Sequence, residues 1–524
     1  MILIPEKNAV LVTPRNPVRL HKLIPTSKLV SYKGRRSVAV PHRLDETRVL
    51  CNMGLAVPSP ILHDYDWPRS RQIKNPFDAQ KQTASFLTLN PRSFVLNDLG
   101  TGKTLACLWA FDYLRKLGQA NKLLITCPLS TMERVWADEL FMNFQHLRYI
   151  TLHHSNKQGR LKLLEKHKEA DVFIINHHGA KVITQELADL GCDTVIIDEI
   201  SQCCRNKTDI WKAHNVIING HKPARSVWGL TATPTPNEPT DAYWQVKLLN
   251  PAKVKMYFTA FKRNVMTQIN QFTWVPKADA IDQVDRLMSP AVRYRRDQCV
   301  DLPPTIHMTR EVALTKPQAV AFDTMKKHLY AQIEAGEITA VNEAVKASKL
   351  VQIACGVLYD EDGKEHVVGA EPRIAECLNL IRESDSKAIV FVPFRSVISL
   401  VADGIRKAGY DVGVIHGGVP SKERDVIFQG FQKAMNPQII VAQPASMSHG
   451  LTLTAASSII WYAPLPNNEV YEQANGRITR PGQKYTTVIA HIESTPEERR
   501  IYYRLKNKQK MQGLLLAKKD AEVA

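Results

Sequence analysis

Lys103 is the residue around which chemistry can first be built. It sits in Asn97-Asp98-Leu99-Gly100-Thr101-Gly102-Lys103-Thr104, after an apolar run, Phe94-Val95-Leu96, and before a helical pattern from Leu105 to Leu117. Strand, glycine-bearing loop and helix is the setting in which Gly-Lys-Thr cradles a phosphate. Backbone N–H groups of the loop point at phosphate oxygens, and the helix N-terminus adds partial positive charge. Asp98, Gly100, Thr101, Gly102, Lys103 and Thr104 are therefore the candidate nucleotide cradle. Lys103 reaches the β- and γ-phosphates, and Thr104 holds Mg²⁺. Asn97 stands where the general pattern has glycine.

A second group follows about ninety residues later, where Val195-Ile196-Ile197 ends in Asp198-Glu199. Phosphoryl transfer to water needs one carboxylate to orient the metal and a base to orient the nucleophile. Asp198 suits the first role and Glu199 the second. Trp228-Gly229-Leu230-Thr231-Ala232-Thr233-Pro234 follows the next apolar run, and its small hydroxyl residues could sense nucleotide state through hydrogen bonds. A third group, Tyr471 to Gln483, contains Gln473, Arg477 and Arg480 between the loop-opening glycines Gly476 and Gly482. The two arginines lie three apart, on one side of a helical turn. A guanidinium donated from a second lobe stabilises γ-phosphate charge only when the lobes close, which is arginine-finger logic.

These residues need a scaffold that brings strand ends together. From Phe77 to about Asn250 strands and helices alternate, with strands expected at Ser93–Leu96, Lys122–Thr126, Asp171–Asn176, Thr194–Asp198 and Arg225–Leu230. That rhythm predicts a parallel sheet covered on both faces, whose ligands sit at the carboxyl ends of the strands. Residues 251–370 lose the rhythm and read as a helical inter-lobe segment, with helices at Lys316–Gly336 and Asn342–Ile353. A second alternation has strands at Ala388–Val392, Val412–Ile415, Gln438–Ala442, Ile459–Tyr462 and Thr487–Ile492. The expected fold is α/β, two tandem parallel-sheet lobes with a small basic α+β module in front. The boundaries are 1–72 for the module, 73–250 for lobe 1, 251–370 between, 371–495 for lobe 2 and 496–524 for a basic terminal helix.

Composition bounds the partners. The 524 residues carry a net charge of +18, and their 44% hydrophobic and 23% charged content is that of a globular chain. The excess of positive charge favours a polyanion. The first fifty residues hold ten Lys or Arg against three Asp or Glu, so +7 of the total resides there. This module reads equally as a nucleic-acid contact and as a solvated cap on lobe 1. Nine cysteines form no Cys-x-x-Cys pair, so spacing indicates neither a zinc site nor a disulfide framework. Met1–Val10 is too short an apolar run for a signal peptide, and no stretch reaches membrane-span length, so a reduced cytoplasmic or nucleoid-associated protein is expected.

The motifs taken together resemble helicase superfamily two, and within it the Swi/Snf-related ATP-dependent double-stranded DNA translocases. The family's DEMGLGKT appears as NDLGTGKT. Phe77 to Leu87 is similar to the adenine-reading segment, with Gln80 as the base contact. Cys127-Pro128-Leu129-Ser130 with Trp136 beyond is similar to the family's CPLS…W, which tracks the DNA backbone. Arg295-Arg296 and Asp301-Leu302-Pro303-Pro304 match the linker pattern RR…LPP, and Gln473 to Gln483 matches QAxGRxHRxGQ with Thr479 for His and Pro481 for Ile. The family's DEAH is Asp198-Glu199-Ile200-Ser201 here, and its RAGGxGxNLTAA is Ala445 to Ala456. The resemblance spans about residues 75–510. It implies that the two tandem parallel-sheet lobes are RecA-like and that the chain is a DNA-dependent ATPase using ATP and Mg²⁺, with Lys103, Asp198, Glu199, Gln473, Arg477 and Arg480 catalytic. It also implies nucleic-acid contacts at Pro128, Ser130, Thr231, Thr233, Gly450 and Thr454, and a monomeric motor preferring duplex DNA. A strand-separating or branch-remodelling helicase, the motor of a restriction nuclease, and an ATP-switched clamp share the same ATP motifs and remain alternatives.

Overall fold

The computed structural model describes residues 1–68, 76–270, 273–299, 301–334, 348–359, 365–447 and 452–523. The N-terminal piece is a four-stranded antiparallel sheet of Ile2–Ile4, Ala9–Val12, Arg35–Pro41 and Lys28–Tyr32, in that spatial order. Lys33 and Gly34, with φ of 48° and 73°, make the two-residue turn of its last hairpin, since paired left-handed residues match the strand twist. Val10, Val12, Leu20, Val38, Val40 and Leu50 give it a small core of its own. The stretch after it is not a separate solvated piece. Ile61, Tyr65 and Trp67 enter the core of lobe 1, with the Trp67 and Trp109 rings edge-to-face at 5.2 Å. The Arg48 guanidinium meanwhile caps the Thr88 carbonyl at 2.7 Å.

Lobe 1 is a seven-stranded, wholly parallel sheet with strand order Ala291–Val292, Arg92–Val95, Ser226–Leu230, Thr194–Asp198, Leu123–Cys127, Val172–Asn176, Tyr149–Thr151. The five expected strands occur within a residue or two. They are apolar on both faces because helices cover both. The two unexpected strands are the edges, too short to show a pattern.

Lobe 2 is a six-stranded parallel sheet, with Thr305–Glu311, Thr487–Glu493, Ala456–Trp461, Lys387–Phe391, Ile439–Ala442 and Val412–Ile415 in spatial order. Thr305–Glu311 corrects the reading of 251–370 as helical. Its polar sequence, largely exposed, suits an edge strand and hides the apolar signal of a buried one. The stretch therefore supplies one edge strand to each sheet, besides the helix Lys316–Glu334 and a helical turn at 348–354. Residues 335–347 of the two expected helices lie outside the described residues.

The last helix, Pro496–Val523, ties the lobes together. Leu505 packs in the core of lobe 2, whereas Leu515 and Leu516 pack in the core of lobe 1. The Lys519 ammonium, with no exposure, meets Asp285 at 3.1 Å.

Candidate active site

The phosphate loop leaves the strand Arg92–Val95 and turns into the helix Lys103–Lys116. Gly100 and Gly102 adopt φ of 83° and 76°, which L side chains rarely do. A Cβ on Gly102 would also lie 1.9 Å from the Gln80 carboxamide nitrogen, so packing and backbone both demand glycine. Gln80, almost fully buried, thus lies against the loop itself: its oxygen accepts from the Phe77 N–H at 2.9 Å and its nitrogen approaches the Gly102 carbonyl at 3.4 Å.

Lys103 Nζ rests on the loop's own carbonyls, 2.8 Å from Asn97 O and 3.2 Å from Asp98 O. Burial pulls its pKa down, against the pull of Glu199, Asp198 and Asp98. Asn97 explains why its position is not glycine. Its amide nitrogen donates to Thr83 Oγ1 at 2.9 Å and its oxygen accepts from the Tyr294 N–H at 2.9 Å, which fastens the loop to the edge strand's exit.

Asp98 faces that exit rather than a phosphate. Its carboxylate holds the Arg293 guanidinium at 2.7 Å and accepts from the Arg296 N–H at 2.9 Å. Arg293 donates in turn to Leu96 O at 2.6 Å. Sequence reading stopped at Arg295-Arg296 and missed Arg293, because a single buried arginine two residues upstream carries no pattern.

Asp198 and Glu199 end the strand Thr194–Asp198 beside the loop. Asp198 Oδ2 accepts from Trp136 Nε1 at 3.0 Å. Trp136 is fully buried and orients the acid. Burial raises the pKa of Asp198. Burial, then the charge of Asp198, pushes Glu199 up to about 8. Glu199 has φ of 50°, strained for a residue with a side chain, and its Oε2 is buried without a hydrogen-bond partner.

Lobe 2 closes the site. Gly476 lies so close to Leu99 that a Cβ would meet Leu99 Cδ1 at 2.9 Å, and one on Gly100 would touch Pro481 and Arg480 at 3.6 and 3.8 Å. Arg480 donates to Gly476 O and to Thr452 Oγ1, each at 3.1 Å. Burial, then the neighbouring Arg296, pushes its pKa down to about 10, while Glu199 opposes. Arg477 is fully buried, and burial and Arg480 hold its pKa well below the usual guanidinium range against the attraction of Glu199. Two guanidinium groups from one sheet thus face the carboxylate of the other. The Arg296 guanidinium bonds the Thr479 carbonyl and hydroxyl, so the residue replacing the family's histidine still joins the loops.

A second bridge runs through Ser201. Its hydroxyl pairs with Thr231 Oγ1 at 2.8 Å and donates to Glu469 Oε1 at 3.2 Å. Arg205 holds the other Glu469 oxygen at 2.6 Å, and Gln202 reaches Gln473 at 3.5 Å. Thr231 and Thr233 are 0% and 3% exposed, which corrects their placement among nucleic-acid contacts: Thr231 is an interior member of this bridge, and the Thr233 backbone N–H donates to its hydroxyl at 3.0 Å. Arg205 and Glu469 carry no motif of their own and were missed, while Ser201 reads in sequence only as the replacement of the family's histidine.

Pro128 and Ser130 line the mouth of an interlobe cleft of about 740 Å³ that also includes Arg134 and Arg424. Ser130 is exposed, and Thr454 half-buried under Gln432. Gly450 lies outside the described residues. Among the described residues, no helix is long and apolar enough to cross a membrane.

The model of the SNF2-related domain matches residues 80–355, and that of the helicase conserved C-terminal domain matches residues 372–482. The putative ATP-dependent helicase/translocase YwqA of Bacillus subtilis is 23% identical over 437 residues, covering 80% of this chain and 46% of that protein. Putative protein p41 of Acyrthosiphon pisum secondary endosymbiont phage 1 is 25% identical over 449 residues, 81% of this chain and 94% of p41. This chain thus spans most of the phage protein but less than half of YwqA. The Sulfolobus solfataricus SWI2/SNF2 ATPase core in complex with dsDNA covers 86% of this chain and 95% of its own, at 22% identity and a TM-score of 0.41. Because the SNF2-related match alone covers more than half of its residues, the chain belongs to the SNF2-related family.

Proposed function

We propose that the chain is an ATP-dependent motor that hydrolyses ATP between its lobes and translocates on, or remodels, duplex DNA. The observation that carries this is the meeting of Glu199 from lobe 1 with Arg477 and Arg480 from lobe 2, where Arg480 and Pro481 also pack on Gly100 of the loop that bears Lys103. The site fits a nucleotide and Mg²⁺. Gly100 and Gly102 leave the loop backbone open, and Glu199 Oε2 is a buried acceptor awaiting a donor.

Lys103 exchanges its loop carbonyls for the β- and γ-phosphates. Thr104 and Asp198 would hold Mg²⁺, which supplies neutralising charge when bound. Trp136 keeps Asp198 aimed, and Glu199 accepts the proton of the attacking water. Arg480 and Arg477 would stabilise the charge of the γ-phosphoryl group as it passes from ADP to water, so turnover depends on lobe closure. The Thr231–Ser201–Glu469–Arg205 bridge gives lobe 2 a direct hold on the strand end beside the carboxylates. Closing and opening would then ratchet the lobes along a backbone gripped near Pro128, Ser130 and Thr454, with one chain sufficient for movement.

The test is steady-state ATPase with no nucleic acid, single-stranded, duplex and forked DNA, and RNA. Duplex should stimulate at least as well as single strands, largely independently of sequence because phosphates carry none. A third strand should be displaced from duplex, while a plain tailed duplex is unwound poorly. Activation by single strands alone, with efficient unwinding of the tailed duplex, refutes translocation in favour of strand separation.

A further inference from the structure

Behind the acidic pair, on the side away from the phosphate loop, three side chains unused by ATP chemistry converge. His177 opens the helix His177–Val182 after the strand Val172–Asn176, Cys203 ends the turn Ile200–Cys203 after Glu199, and His214 faces inward from Asp209–Asn219. All three are buried, and one ligand atom of each lies within 4.8 Å of the others.

The hydrogen bonds fix which atoms these are. His177 Nε2 is 2.9 Å from the Asp198 carbonyl, so it carries the proton and leaves Nδ1 with a lone pair. That Nδ1 is buried and faces the Cys203 thiol. His214 Nδ1 is 2.8 Å from the Ile210 carbonyl, which likewise makes it the donor and leaves the lone pair on Nε2. Thr126 Oγ1 lies 3.1 Å from that Nε2 but has the Ile196 carbonyl as an alternative acceptor at 3.4 Å. Metal-bound imidazoles are oriented in this way, with the far N–H on a carbonyl and the near nitrogen on the ion.

We propose that His177 Nδ1, Cys203 Sγ and His214 Nε2 bind one Zn²⁺. Zinc–nitrogen and zinc–sulfur bond lengths place tetrahedral ligand atoms about 3.4–3.6 Å apart, so modest side-chain rotation closes the group on one ion. Two imidazoles with thiolate sulfur suit zinc and disfavour Mg²⁺ or Ca²⁺, which take oxygen. The ion has a route in, because His177 and Cys203 also line the interlobe cleft. On binding, the Cys203 thiol gives its proton to solvent and its sulfur bonds the metal. The ion then pins the segment after Glu199 to the helix Asp209–Asn219 through bonds independent of nucleotide.

The full chain, stripped with a chelator and checked for folding by circular dichroism, is titrated with Zn²⁺ against a chromophoric competitor and separately with Co²⁺. One equivalent of Zn²⁺ should bind. Co²⁺ should give the intense ligand-field bands of a tetrahedral site and a thiolate charge-transfer band. Cys203→Ser should lose the charge-transfer band and His214→Gln the stoichiometric zinc, whereas Cys51→Ser should keep both. Failure of the wild-type chain to take up one equivalent overturns the proposal whatever the variants do, as does a charge-transfer band that survives Cys203→Ser.

Discussion

Removing the Glu199 carboxylate while keeping its shape, Glu199→Gln, tests the central assignment most sharply. Burial and Asp198 hold this acid at about 8 in the nucleotide-free protein. A general base works only when ionised, and kcat/KM reports the ionisation of the free enzyme. With a pKa of about 8, roughly a tenth of the molecules are competent at pH 7, and each unit fall below that costs about another tenfold. The sign follows from the direction of the shift: raised above the ordinary carboxylate value, the group is protonated and idle on the acid side. Activity must therefore climb with pH through neutrality and level off above about 8. Asp198 sits beside it and is raised too, so the midpoint belongs to the pair. The assay is initial-rate kcat/KM for ATP at saturating duplex DNA from about pH 6 to pH 9. Glu199→Gln should bind ATP normally, lose about 10²–10⁴-fold in rate, and show no rising limb in what remains. Hydrolysis by Glu199→Gln at the wild-type rate, or the same limb in that variant, refutes the assignment of the base.

Three further outcomes follow from the geometry. Arg480→Ala should lower turnover on the order of 10³-fold or more with ATP affinity changed far less; an unchanged turnover number would make it a packing residue against Gly100. Trp136→Phe removes a hydrogen bond to an acid worth about 1.5–3 kcal/mol, so kcat/KM should fall about 10- to 100-fold, most steeply at limiting Mg²⁺. Wild-type Mg²⁺ dependence in that variant would show that Asp198 is held in place without it. In the N-terminal hairpin, Lys33, Arg35 and Arg36 are exposed. If they bind phosphates, changing all three to Gln should flatten the plot of log affinity against log salt by about 0.9 for every phosphate no longer neutralised, and an unchanged slope would leave the module as a cap alone.

The sequence by itself determined the two-lobed α/β fold, because strands buried on both faces must be continuous apolar runs. The same constraint made Thr194–Asp198 legible and left the polar edge strand Thr305–Glu311 unreadable. It also determined the residue types of the ATP site, since Gly-Lys-Thr and Asp-Glu are local solutions to local problems, a loop conformation and a strand end. What only the tertiary structure decided are relations between segments far apart in the chain. Asp98 looks available to a nucleotide until Arg293, 195 residues later, takes its carboxylate. Trp136 reads only as the end of the CPLS segment until its indole is found on Asp198, and Ser201 reads as a lost histidine until it meets Glu469 from the other lobe. The same holds for His177, Cys203 and His214, whose spacing in sequence signals no metal site. Hydrogen bonds and ion pairs across such separations leave no periodicity, because each partner is chosen by the packing of two sheets and not by its own neighbours in the chain.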